Sequence, residues 1–210
     1  MCLNNWGGID HKVLEFHEYV NLFSGKSGSG KSTVMDAIQV ILYGSFSPSF
    51  LNKAADDAKN RRSVLSYLRG EQKDGSANRK DCDFCSVIAL EIEDTGTHII
   101  TCIGIAFEVR KSDSEIKKFV YFSHSGKMPE SEYLTEQGVC YSNQEIKKLV
   151  SARTKSDDNR GKGEVNRIYG SKEAYLGTLY DVILGYIDQN RFITMEKSAI
   201  ALKMTNGTGQ

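Results

Sequence analysis

Apolar and polar positions change their spacing several times along the chain, and each change predicts a different kind of element. Short runs at 3–6 (LNNW), 12–16 (KVLEF) and 20–24 (VNLFS) are separated by Gly7, Gly8 and a polar turn, and they predict three short strands. From Lys31 the period becomes helical. Val34, Met35, Ile38, Ile41 and Leu42 fall on one face, Ala37 and Val40 widen the stripe, and Gly44 ends it, so a buried helix is expected to leave a glycine-rich loop.

Residues 45–70 predict a proline-containing loop and one or two short helices, the second carrying Val64, Leu65 and Leu68. The polar stretch EQKDGSANRKD that follows reads as a solvated, mobile loop. Between 84 and 123 three apolar or alternating runs, CSVIALEIED, THIITCIGIAFEV and KKFVYFSHS, are joined by connectors too short for a parallel crossover. They predict an antiparallel meander. Ser142 and Glu145 form a capping-box spacing ahead of Ile146, Leu149 and Val150, which starts a further helix. An exposed charged loop (KSDDNRGKGE) comes next, and a last helical region covers 171–204 with a break at Gly185.

The 210 residues suffice for a sizeable core and read as one domain, with no internal repeat. Lysine plus arginine equals aspartate plus glutamate at 27 each, so net charge neither supports nor excludes a nucleic-acid partner. Five scattered cysteines, no signal peptide and no run of 18 apolar residues predict free thiols, a cytoplasmic location and no membrane partner. Cys82 and Cys85 have CxxC spacing without a second pair, and a structural pair beside a strand is expected rather than zinc or redox chemistry.

The candidate chemistry lies at 25–33. Gly25, Lys26, Ser27, Gly28, Ser29, Gly30, Lys31 and Ser32 fit GxxxxGK[ST], the Walker A pattern, between an expected strand and an expected helix. The glycines allow positive φ and close approach of backbone N–H groups to phosphate oxygens. The helix start adds the positive end of its dipole. Lys31 is expected to reach the β and γ phosphates, Ser32 to place its hydroxyl on Mg²⁺, and Thr33 to donate to the α phosphate. The cofactors implied are ATP and Mg²⁺, the base itself being open.

Hydrolysis also needs a carboxylate at the end of a buried strand. Glu91 and Glu108 end apolar runs, but the alternation around Glu91 is that of an antiparallel strand and Glu108 lies inside the meander, so neither is assigned as Walker B. No LSGGQ-like segment occurs, and the catalytic residues are unassigned. Trp6 reads as a core anchor, with stacking on adenine as its functional alternative. His11, His17, His98 and His124 form no cluster. Arg61, Arg62 and Arg69 are expected on a solvated helix face, with DNA or a second nucleotide as alternatives, and Asp36 in capping or a salt bridge rather than on a metal.

The order NNW, VNLFSGKSGSGKSTVMDAIQVIL, RRSVLSYLRG and SVIALEIED resembles the N-terminal ATPase lobe of SMC-like proteins. It is most similar to the JetC-type subunits of Wadjet anti-plasmid systems and more distantly to MukB and SbcC. The resemblance implies an α/β P-loop NTPase fold, an ABC-type half head with an antiparallel β-subdomain, spanning 1–210 as a single partial lobe. It further implies a C-terminal lobe carrying the signature motif and Walker B beyond a coiled coil, a second head, kleisin-type subunits, and DNA handled by the full complex. The chain is then expected to be a fragment or truncated product that, alone, binds ATP weakly and hydrolyses it little or not at all. A free-standing P-loop kinase and a binding-only remnant are the competing readings.

Overall fold

A computed structural model describes residues 1–26, 28–47, 51, 63–72, 75–156 and 165–180. Its elements are β1 (Cys2–Trp6), β2 (Ile9–Val13), α1 (Lys31–Tyr43), α2 (Val64–Leu68), β3 (Phe84–Glu93), β4 (Ile100–Val109), β5 (Lys118–Ser125), α3 (Asn143–Ser156), β6 (Arg167–Tyr169) and α4 (Lys172–Thr178). The strands form one six-stranded sheet in the order β2-β1-β3-β4-β5-β6, antiparallel at every pairing. The meander expected at 84–123 is therefore present, with Ile88 opposite Ile105 and Ile105 opposite Tyr121.

Alternation along these strands feeds two cores, one on each face. Leu3, Ile88, Ile103, Ile105 and Phe107 pack with Val34, Ala37, Val40 and Ile41 of α1, with α2, and with Tyr175 of α4. Cys2, Val87, Ala89, Ala106 and Phe122 pack on the other face with Tyr133, Cys140, and Ile146 and Val150 of α3. A sheet buried on both sides by helices is a three-layer arrangement. Phe122 gains its place because Gly104 opposite it has no side chain: a Cβ there would stand 2.7 Å from the Phe122 ring and 2.5 Å from the Ile88 carbonyl.

Several expectations are corrected. The second strand is Ile9–Val13 rather than 12–16, because a two-residue turn at Gly7 and Gly8, with Gly7 at φ 56°, sets Trp6 opposite Ile9. Residues 20–24 form no strand: Tyr19, Val20 and Leu22 are 87%, 77% and 89% exposed. An apolar alternation cannot hold extended backbone in a sheet without a neighbouring strand to take its hydrogen bonds. Met35 is 44% exposed, since the buried face of α1 runs through Val34, Ala37 and Ile41 and turns Met35 outward. The loop after α2 is not wholly solvated, because Arg79 is 6% exposed and Glu71 bridges to Ala77.

The other expected features hold where they are described. Gly44 closes α1 in the left-handed conformation. Ser142 and Glu145 make the reciprocal capping box, the Ser142 N–H donating to Glu145 at 2.6 Å and the Glu145 N–H to Ser142 Oγ at 3.3 Å. Ser171 caps α4. Arg61, Arg62, most of the charged loop at 155–164 and the helical continuation beyond 180 lie outside the described residues. Among the described residues no helix is long and apolar enough to cross a membrane.

Candidate nucleotide-binding site

The glycine loop turns directly into α1 through Gly30, which sits at the helix N-cap with φ 86° and ψ 7°. Gly28 has φ 83° and Gly25 φ 154°, so all three motif glycines occupy backbone conformations that side chains resist. A Cβ at Gly25 would stand 2.7 Å from Ser29 Oγ, whereas at Gly28 and Gly30 it would meet nothing within 4 Å. The loop is thus drawn tight at its entrance and open above its later glycines. The Ser29 N–H donates to the Lys26 carbonyl at 3.2 Å and the Val34 N–H to the Gly30 carbonyl at 3.1 Å, which closes the turn and starts the helix.

The α1 N-terminus has no side-chain cap and no acidic residue in its first turn. By contrast, α2, α3 and α4 are each capped by a serine, Ser63, Ser142 and Ser171. A helix start with orphan N–H groups and a positive dipole end, presented by glycines, accepts an anion. Lys31 reaches back across the loop, its ammonium donating to the Gly25 carbonyl (2.6 Å), the Lys26 carbonyl (2.9 Å) and Ser29 Oγ (3.3 Å). A positive charge is therefore held against the same loop. Lys26, Gly28, Ser29 and Ser32 are exposed, and Lys31 and Thr33 are half-buried, so the surface is reachable. Ser27 lies outside the described residues.

The remaining candidates are placed elsewhere. Trp6 is fully buried between Tyr67 and Phe107 (ring centroids 4.8 and 6.4 Å away), which makes it a core anchor and not an adenine platform. Glu91 accepts the Met128 N–H at 2.6 Å and Glu108 the Asn143 N–H at 2.9 Å, so both tie loops and helix starts to the sheet. The Arg69 guanidinium donates to the carbonyls of Arg110, Lys111 and Asp113, clamping the β4–β5 connection. Asp36 is buried on α1. Cys85 lies on β3 and burial pushes its thiol up to about 11, while Cys82 precedes the strand and is exposed; both are free. Among the described residues no three His, Cys, Asp or Glu side chains converge as a metal-binding group.

Arg79 was not foreseen. Its buried guanidinium donates to the Leu68 carbonyl (3.1 Å), to Asp10 (2.6 Å) and to the Gly7 carbonyl, and faces the Phe84 ring at 5.6 Å. Nothing in the polar stretch around it signals burial, because its partners, two backbone carbonyls and the Asp10 carboxylate, lie in other segments.

Residues 1–58 match the family model described as the P-loop containing region of AAA domain. No curated protein matches the chain. The matched residues include β1, β2, the glycine loop and α1. Over that stretch the chain is P-loop NTPase-like, and nucleotide binding is what the match indicates.

Proposed function

We propose that this chain is the ATP-binding N-terminal lobe of an SMC-like ATPase, nearest in kind to the JetC-type subunits, serving DNA handling or plasmid defence. The observation that carries the nucleotide half of this reading is the uncapped start of α1, where Gly28 and Gly30 leave open space and Lys31 supplies charge. A triphosphate fits that donor set. Backbone N–H groups of 25–33 would take its oxygens, and Lys31 would exchange neutral carbonyl partners for anionic ones, a stronger contact. Ser32 would offer its hydroxyl to Mg²⁺, and Thr33 a further donor. When bound, Mg²⁺ supplies charge neutralisation between the β and γ phosphates.

The SMC-like half rests on the resemblance, on the antiparallel meander beside the P-loop helix, and on two features of this chain. Glu91 and Glu108 accept backbone N–H groups and anchor a loop and a helix start, which supports a metal carboxylate supplied by a further lobe. The exposed run containing Tyr19, Val20 and Leu22 enters the glycine loop uncovered, as a strand awaiting its neighbours would be. In this reading a C-terminal lobe supplies both, two heads enclose the nucleotides, and kleisin-type subunits and DNA join the full complex. The meander also weighs against a free-standing kinase, whose strands and helices would alternate.

Lys31→Ala tests the reading. Loss of a charge-assisted contact costs roughly 1.5–3 kcal/mol, or about 10- to 150-fold in affinity for Mg²⁺–ATP measured by displacement of a fluorescent ATP analogue. Unchanged affinity would instead favour a vestigial loop. The purified chain should show negligible turnover, and sustained multi-turnover hydrolysis by it would rule out dependence on a second lobe.

A further inference from the structure

The start of α1 is held from behind by the β1–β2 turn. The Trp6 indole N–H donates to the Thr33 carbonyl at 2.9 Å, and Thr33 is the third residue of the helix. Next to it Gly7 takes φ +56°, and a Cβ there would lie 3.0 Å from Thr33 Cγ2 and 3.2 Å from the Tyr67 ring. Only a glycine lets the turn come this close. Arg79 then locks the turn through the Gly7 carbonyl, Asp10 and the Leu68 carbonyl, with α2 packed beneath.

On the other side, residues 14–26 reach the glycine loop without forming a strand, so the sheet does not fix the loop through its own leading segment. The described hydrogen bond from the sheet to the first turn of α1 is the one from Trp6. We propose that Trp6 is a positioning residue for the nucleotide cradle, setting the first turn of α1 through the Thr33 carbonyl while Arg79 braces the turn that carries it. This rests on the reading of residues 25–33 as that cradle. Displacing the Thr33 peptide shifts the adjoining N–H groups together, because successive peptide planes of a helix move as one hydrogen-bonded unit. A small error there spoils the convergence of several donors on one phosphate.

The test uses the full chain and displacement of N-methylanthraniloyl-ATP by Mg²⁺–ATP. Trp6→Phe retains an aromatic ring in the core but removes the N–H donor, and it should weaken affinity roughly three- to tenfold. Phe107→Leu, which loosens the same core without touching Thr33, should keep the parent affinity. A Trp6→Phe variant that binds like the parent overturns the proposal, as does a Phe107→Leu variant weakened equally. Should Trp6→Phe fail to fold, the parent decides: Trp6 is the single tryptophan of the chain, and its emission should change on saturation with Mg²⁺–ATP. An unaltered spectrum at a concentration that fully displaces the analogue overturns the proposal while leaving the nucleotide site standing. A parent that binds no analogue removes the site itself.

Discussion

His124 Nε2 stands 3.0 Å from the Tyr133 hydroxyl, and neither side chain is exposed to solvent. The other ring nitrogen, Nδ1, lies 3.0 Å from the Ser125 carbonyl, which can only accept, so Nδ1 carries the proton and Nε2 accepts from the phenol. Burial lowers the His124 pKa below its ordinary 6.5; the Ser125 carbonyl opposes this and the Arg153 charge adds to it. Below pH 6.5 the unfolded chain therefore binds a proton that the folded chain resists. Stability from this residue is complete above about pH 6.5 and is lost as pH falls from there toward the lower folded value. Urea midpoints should decline between pH 7 and 5.5, and His124→Gln should flatten that decline; an identical slope in the variant would remove His124 as its source.

Gly104 and Phe122 supply a second expectation. Gly104→Ala places a Cβ 2.5 Å from the Ile88 carbonyl and 2.7 Å from the Phe122 ring. The ring could yield by rotating, but the carbonyl belongs to the neighbouring strand and could yield only by parting β3 from β4. Overpacking of this kind costs about 1–3 kcal/mol. Adding Phe122→Leu should recover little of it, since the backbone clash persists. A thermal melt of Gly104→Ala matching the parent would show that the two strands have slack at this position.

Glu108 separates a structural from a catalytic role. Its carboxylate takes the Asn143 N–H at the first turn of α3 and lies 3.9 Å from Lys118. Glu108→Ala should therefore lower stability by about 1 kcal/mol through the loss of a helix-terminus acceptor. It should leave affinity for Mg²⁺–ATP unchanged. Ser142→Ala, which removes the neighbouring cap, should cost about 0.5–2 kcal/mol. The two acceptors take different N–H groups, those of Asn143 and Glu145, so the double variant should lose about the sum of the two. A loss well above the sum would show that the two caps act as one unit.

These sites also show what can be read along the chain and what cannot. The meander, α1 and the Ser142 box are local: short connectors, a helical stripe and a four-residue spacing each determine their element without reference to distant residues. β2 was displaced by three residues because the turn at Gly7 outweighed the apolar run that followed it. β6, three residues paired with β5, is too short to have a period. Arg79 and the Trp6–Thr33 bond join segments far apart in sequence, and neither partner marks the other. The glycine loop was legible because phosphate binding demands specific residues at fixed intervals. The strand expected before it carried the right local pattern, but a strand is a relationship between segments, and no described segment answers residues 20–24.

That unanswered run leads to the last expectation. Val20 and Leu22 are 77% and 89% exposed, whereas Phe23 is partly buried against the core and faces Phe16 at 6.2 Å. If the run is uncovered in the isolated chain, Val20→Ser with Leu22→Ser should change its stability by no more than about 0.5 kcal/mol, as surface substitutions do. Phe23→Ala should cost more, roughly 1–2 kcal/mol in proportion to the apolar area it covers. The serine pair should also lessen self-association in sedimentation, since an exposed apolar strand-like segment seeks a partner of its own kind. A melt lowered by several degrees in the serine pair would mean that these side chains are already packed within the chain. The segment would then be covered already and would need no partner to bury it.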